Sequence, residues 1–145
     1  MVKKISFIIP GEPVGKGRPK FTTTNGFARA YTPKKTQSYE NLVKMAFLQE
    51  RREPPFCGPV SMRISAFFSI PKSWPKKRLS AHNNKSEAVT KKPDLDNIIK
   101  IVADALNKLA YVDDSQIFEV TALKFYSHAP LTTVTIQEFH AEENT

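Results

Sequence analysis

Four of the five aspartates of this chain sit in two short stretches, Lys91-Lys92-Pro93-Asp94-Leu95-Asp96-Asn97 and Asp113-Asp114, and the fifth, Asp104, lies between them. All five thus fall between positions 94 and 114 of a protein with a formal net charge of +8. Pro93 biases Lys92 toward extended backbone. If that extension continues through Asp96, Asp94 and Asp96 point to the same side, because strand side chains alternate with period two. Two carboxylates on one side repel unless a cation lies between them. Magnesium suits such a place: it takes hard oxygen ligands, often only one or two carboxylates, and completes its shell with water and substrate phosphate. Asp96, Lys100 and Asp104 are spaced by four and share one helix face, so Lys100 can hold the carboxylates or reach a phosphate. The same spacing in isolation is an ordinary surface charge ladder. Asp113-Asp114 in isolation is a turn before a strand. His82, His128 and His140 have no metal-ligand spacing and read as structural or surface residues.

The elements that must position these groups follow from periodicity. Asn97 to about Ala110 predicts a helix with the apolar stripe Ile98, Val102, Ala105, Leu106, Leu109, capped by Asp96 or Asn97. Such a helix carries the chain roughly 18 to 20 Å away. The extended residues from Ala110 to Asp114 return about 15 Å. That return is only just sufficient to bring Asp114 back to Asp94. A strand starting at Val112 beneath the helix, or a partner subunit, would close the gap.

Upstream, Ile5, Phe7 and Ile9 alternate in a strand over 3–9 that ends at Pro10-Gly11. Gly11-Glu12-Pro13-Val14-Gly15-Lys16-Gly17-Arg18-Pro19-Lys20 offers cations at alternate positions, with glycines that let backbone approach a ligand. It lacks the glycine spacing and the final Lys-Ser/Thr of a P-loop. Phe21–Thr23 and Phe27–Tyr31 flank Asn25-Gly26, which predicts a hairpin carrying Lys20 and Arg29. Thr32-Pro33 opens a first main helix reaching about Arg52, stopped by Pro54-Pro55. Val60 to Phe68 alternates as a half-buried strand, as do 116–126 and 132–139. Residues 71–92 show no apolar periodicity. They predict a mobile basic loop, with a helical turn near 75–81 and Trp74 either anchoring the loop or stacking on a base.

Charge divides the chain. Residues 1–93 hold 19 of the 22 basic residues against five glutamates, whereas 94–145 hold three lysines against nine acids. A basic portion of this size suits a polyanion, and the acidic portion suits a metal bridging to it. At 145 residues with 40% hydrophobic residues, the chain fits one α+β domain, 1–145, with a mixed β-sheet and two main helices. The single cysteine, Cys57, excludes an intrachain disulfide, and the reducing cytoplasm is the default. The apolar run at the start is too short for a secretory signal or membrane span.

The block Lys92-Pro93-Asp94-Leu95-Asp96-Asn97-Ile98-Ile99-Lys100, with Asp104-Ala105-Leu106-Asn107 and Tyr111-Val112-Asp113-Asp114-Ser115-Gln116-Ile117, resembles the RusA-type Holliday junction resolvases. Pro10-Gly11-Glu12-Pro13, Lys16-Gly17-Arg18-Pro19 and Tyr31-Thr32-Pro33 with Lys35-Thr36 extend the resemblance over nearly the whole chain. It departs at Asn107-Lys108, where the family commonly has Asn-Gly, and in its long basic loop. The resemblance implies that Asp94, Asp96 and Asp114 bind magnesium and that Lys100 assists catalysis, and Asp113, beside Asp114, is a further candidate ligand. It implies a homodimer that cuts four-way DNA junctions by paired phosphodiester hydrolysis, without an organic cofactor. Lys16, Arg18, Lys20, Arg29, Lys76, Lys77, Arg78, Lys91 and Lys92 are the expected DNA contacts. A non-enzymatic DNA-binding protein with a structural ion, and a magnesium nuclease acting on other branched DNA, are the competing readings.

Overall fold

A computed structural model describes residues 3–84 and 86–141, with the side chains of 24, 83 and 84 left aside. The order of elements is β1 (Lys4–Pro10), β2 (Lys20–Thr24), β3 (Phe27–Tyr31), α1 (Lys34–Glu50), β4 (Val60–Ser69), α2 (Lys76–Asn84), α3 (Leu95–Leu106), a one-turn 3₁₀ helix (Asp114–Gln116), β5 (Ile117–Ser127) and β6 (Leu131–Glu138). Four strands form a mixed sheet in the order β1-β6-β4-β5, and β2-β3 is a separate hairpin. β6 runs antiparallel to both β1 and β4, while β4 and β5 are parallel. Parallel neighbours require a crossover, and α2 and α3 lie in it. The α+β class with a mixed sheet and two main helices is as expected, with α2 as a third, shorter helix.

The core forms where alternation and helical stripes meet. Val60, Met62, Ile64, Ala66 and Phe68 are all buried along β4, opposite Ile136, Val134 and Thr132 of β6 and, beyond these, Phe7 and Ile9 of β1. Val43 and Phe47 of α1 and Ile98, Ile101, Val102, Ala105 and Leu106 of α3 cover this face. The other face is largely polar, and Ser6 and Thr135 share a hydroxyl hydrogen bond of 2.9 Å there. Asn25 (φ 53°) and Gly26 (φ 80°) turn the hairpin as their sequence requires.

Three expectations need correction. Helix α1 starts one residue late, with Pro33 as its cap residue and no side-chain cap, because the Gln37 amide closes the first turn on the Pro33 carbonyl. Helix α3 starts early, at Leu95, and ends at Leu106. Within 71–92, α2 is longer than the single turn expected, and the segment is docked at its far end. Ala88 bridges Phe125, and Val89 is buried. Lys85, which falls within the 71–92 segment, and residues 142–145 lie outside the described residues. No helix among the described residues is long and apolar enough to cross a membrane.

Candidate active site and nucleic-acid interface

Asp94 is extended (φ −65°, ψ 149°), but the chain turns into α3 immediately after it, so Asp96 lies in the first helical turn. The strand-like alternation expected of Asp94 and Asp96 is therefore absent. Helical winding, with 3.6 residues per turn, replaces it. Neither Asp96 nor Asn97 is the cap residue. Asp94 is, and its backbone carbonyl accepts from the Asn97 and Ile98 amides while its side chain makes no cap bond. The carboxylate instead meets the Lys92 ammonium at 2.9 Å, and this hydrogen bond holds it below the usual carboxylate range. Asp96 in the first turn places negative charge at the positive end of the helix.

The turn before α3 is fastened from two sides. Lys124 of β5 donates to the Lys91 and Pro93 carbonyls at 2.7 Å each. On the other side the glycine-rich loop lies against the helix start, with the Lys16 amide donating to the Asn97 carbonyl at 2.9 Å. A methyl at Gly15 would stand 2.6 Å from Pro93 Cβ, and one at Gly17 would stand 2.7 Å from Thr36 Oγ1. The glycines thus admit the protein's own helix ends at close range.

Lys16, an expected DNA contact, meets acidic partners within the fold. Its ammonium pairs with Glu40 at 2.7 Å and Asp104 at 3.2 Å. Partial burial opposes its charge, but the hydrogen bonds to Glu40 and Asp104 prevail and raise its pKa. Lys100 meets the same Asp104 at 3.5 Å and remains mostly exposed. Asp104 is therefore the meeting point of two lysines.

At the other end of α3, Asn107 accepts the Asp114 amide at 2.9 Å. Asp113 caps the 3₁₀ turn: its carboxylate accepts from the Ser115 amide, its own amide donates to Gln116, and the Ser115 bonds depress its pKa. Asp113, an expected metal ligand, thus caps the turn through one carboxylate oxygen. Its Asp-x-x-Gln spacing with Gln116 is the sequence signal that marks such a box. The Tyr111 hydroxyl donates to the Ala103 carbonyl at 2.7 Å, and burial, reinforced by the Asp114 and Asp104 charges, drives its pKa far up. β5 begins at Ile117 rather than Val112 and then runs back along α3, its Lys124 reaching the Pro93 carbonyl just before the helix start. Asp114 is tied to Asn107, the residue that follows the last turn of α3, whereas Asp94 precedes the first.

Among the described residues, no group of three or more His, Cys, Asp or Glu side chains could hold a metal ion. The donors at the opening of α3 are carboxylates alone, a set whose chemistry fits magnesium with one or two protein ligands. Beside them runs an open groove lined by Arg18, Lys20, Lys35 and Lys92, with Gly17 and Pro93 in its walls. Lys35 was not among the expected DNA contacts. Its place on the first turn of α1 brings it there.

The 71–92 segment is held by Trp74. Arg78 lies over its ring at 3.8 Å, Tyr126 meets it edge-on at 4.7 Å, and the side chain is buried. The anchoring role expected for this tryptophan is the one observed. Arg78 is also paired with Glu87, while Lys76, Lys77 and Lys91 remain exposed. His82 and His128 join the cluster by ring contact.

A family model described as endodeoxyribonuclease RusA matches residues 10–137. A Bacillus subtilis (strain 168) protein named uncharacterized protein YqaN is 39% identical over 140 residues, which cover 94% of this chain and 98% of that one.

Proposed function

Since this chain belongs to the RusA endodeoxyribonuclease family, we propose that it is a magnesium-dependent endonuclease that resolves four-way DNA junctions by paired phosphodiester hydrolysis as a homodimer. One observation carries this reading. The cationic groove of Arg18, Lys20, Lys35 and Lys92 leads to the turn where α3 opens with Asp94 and Asp96. A phosphate backbone following those cations arrives beside two exposed carboxylates.

Asp94 and Asp96 hold the ion in this reading. When bound, magnesium supplies positive charge against the scissile phosphate and acidifies a water molecule. Lys92 keeps Asp94 ionised and, at the groove wall, faces the incoming backbone. Lys100 turns its exposed ammonium from Asp104 toward the charge that develops on phosphorus. Arg18 and Lys20 set the register of the strand. Within its own chain Asp114 is tied by Asn107 to the end of α3 that lies away from Asp94. In a two-fold dimer it completes the partner's site, which also gives the two opposed cuts that resolution needs.

Purified protein assayed on four-way, forked and linear DNA with and without Mg²⁺ tests this. Selective, metal-dependent cutting of the four-way substrate is expected. Binding without cutting under all conditions would overturn the nuclease assignment, and equal cutting of forked and four-way DNA would overturn the junction preference.

A further inference from the structure

Among the described residues the β2-β3 hairpin pairs with no other strand, and it displays large apolar groups to solvent: Phe27 is 74% exposed, Phe21 73% and Tyr31 48%. An exposed aromatic patch on a projecting element marks a contact surface. Its pattern says what kind. Strand alternation places Phe27, Arg29 and Tyr31 on one face of β3, and the pairing of Lys20 with Tyr31 adds a second cation to that face. Phe21 lies on the opposite face with Ala28 and Ala30. Successive side chains on one face of a strand are about 6.8 Å apart. That is about two stacking distances of 3.4 Å, room for one base between two flat groups.

Charge selects the partner. Between Glu12 and Glu40 the chain has no acid and six cations: Lys16, Arg18, Lys20, Arg29, Lys34 and Lys35. Of these, Lys16 is neutralised by its ion pairs. Lys20 opens β2 and also lines the groove, so the hairpin face continues the cationic path that leads to Asp94. Aromatic and guanidinium planes beside a basic track are the means by which proteins hold unpaired nucleotides without reading their sequence.

We propose that the Phe27–Arg29–Tyr31 face of this hairpin stacks on DNA bases left without a stacking neighbour at the point where strands exchange. The inference rests on the DNA reading above and adds the feature of the substrate that is recognised. Backbone contact alone treats duplex and junction alike, whereas stacking requires exposed base faces.

The test is binding in the absence of Mg²⁺, compared between a four-way junction and a linear duplex of the same arm sequence, for wild type and Phe27→Ala/Tyr31→Ala. The double variant should lose junction affinity by about tenfold or more, since each stacked base contributes measurably. Its duplex affinity should stay within about twofold, because the phosphate contacts are retained. Phe27→Tyr should restore binding to its site. In wild type, 5-iodouracil flanking the branch point should photocrosslink to the 20–31 segment. Equal affinity of variant and wild type for the junction would overturn the proposal. So would an equal loss on both substrates, or light scattering that showed the variant had lost a subunit contact. Cleavage is measured separately. A protein that cuts nothing yet shows the junction-specific loss refutes the nuclease reading alone, and one that cuts junctions with binding unaltered in the variant refutes the hairpin assignment alone.

Discussion

Asp96 is exposed in the first turn of α3 and makes no ion pair that holds it in the fold. In the proposed site its charge serves a bound cation, and to the chain it adds only a helix-dipole contribution of about 0.3–1 kcal/mol. Asp96→Asn should abolish cleavage, leave the thermal midpoint nearly unchanged, and preserve or tighten metal-free DNA binding, because a negative charge facing the phosphate is removed. Wild-type cutting by a folded Asp96→Asn protein would remove this residue from the site. Lys108 presents the opposite case, a residue whose cost is structural. It follows α3 with φ 66°, a left-handed conformation that disfavours side chains by roughly 1–2 kcal/mol. Lys108→Gly should raise stability by about 1 kcal/mol after the added freedom of the unfolded chain is counted, seen as a higher denaturant midpoint with unchanged cleavage. At this scale residue types were legible and pairings were not. The carboxylate cluster and Lys100 stand out in one dimension. That Lys16 would be taken by Glu40 and Asp104, from two different helices, depends on tertiary proximity that no local pattern records.

Among the elements, the glycine-rich loop and the opening of α3 act as one unit. Gly15 lets the loop seat against Pro93 and Asn97, so Gly15→Ala should destabilise the protein by about 1–3 kcal/mol as overpacking does, and should lower cleavage by displacing the α3 start. Gly58→Ala, which would meet nothing within 4 Å, serves as the control and should be neutral. Equal effects of the two substitutions on melting would show that the loop does not press on the helix. Alternation along β4, the Asn25-Gly26 turn and the α3 stripe were readable because each is enforced by neighbours in sequence. Helix α3 opens at Leu95, ahead of the expected Asn97, because no side-chain cap is needed there: Asp94 is the cap residue while its carboxylate is engaged with Lys92. The 71–92 segment looked featureless because its order comes from Trp74, Ala88 and Val89 docking on distant residues rather than from a repeating pattern.

For the molecule as a whole, the positive charge is concentrated in residues 1–93, and four of those cations line the groove, so DNA affinity should fall steeply with salt. Replacing Arg18 and Lys20 together by alanine should reduce the slope of log affinity against log salt by about two. Replacing Lys16 should scarcely change it, because its charge is already matched by Glu40 and Asp104. Titrations showing the reverse order would place Lys16 on the DNA after all. Light scattering should find a dimer, and only monomer, free and DNA-bound, would remove the partner from the site. The parallel pairing of β4 with β5 adds a consequence for how this architecture can diverge. Everything from Pro71 to Gln116 is an excursion whose two ends are pinned in adjacent strands, and lengthening such a loop costs only about 0.6 kcal/mol per doubling. Residues can therefore be gained or lost between α2 and Ala88 while the sheet keeps its register. The reach of the basic arm is a quantity that evolution, or an engineer, can vary independently of the scaffold that carries the carboxylates.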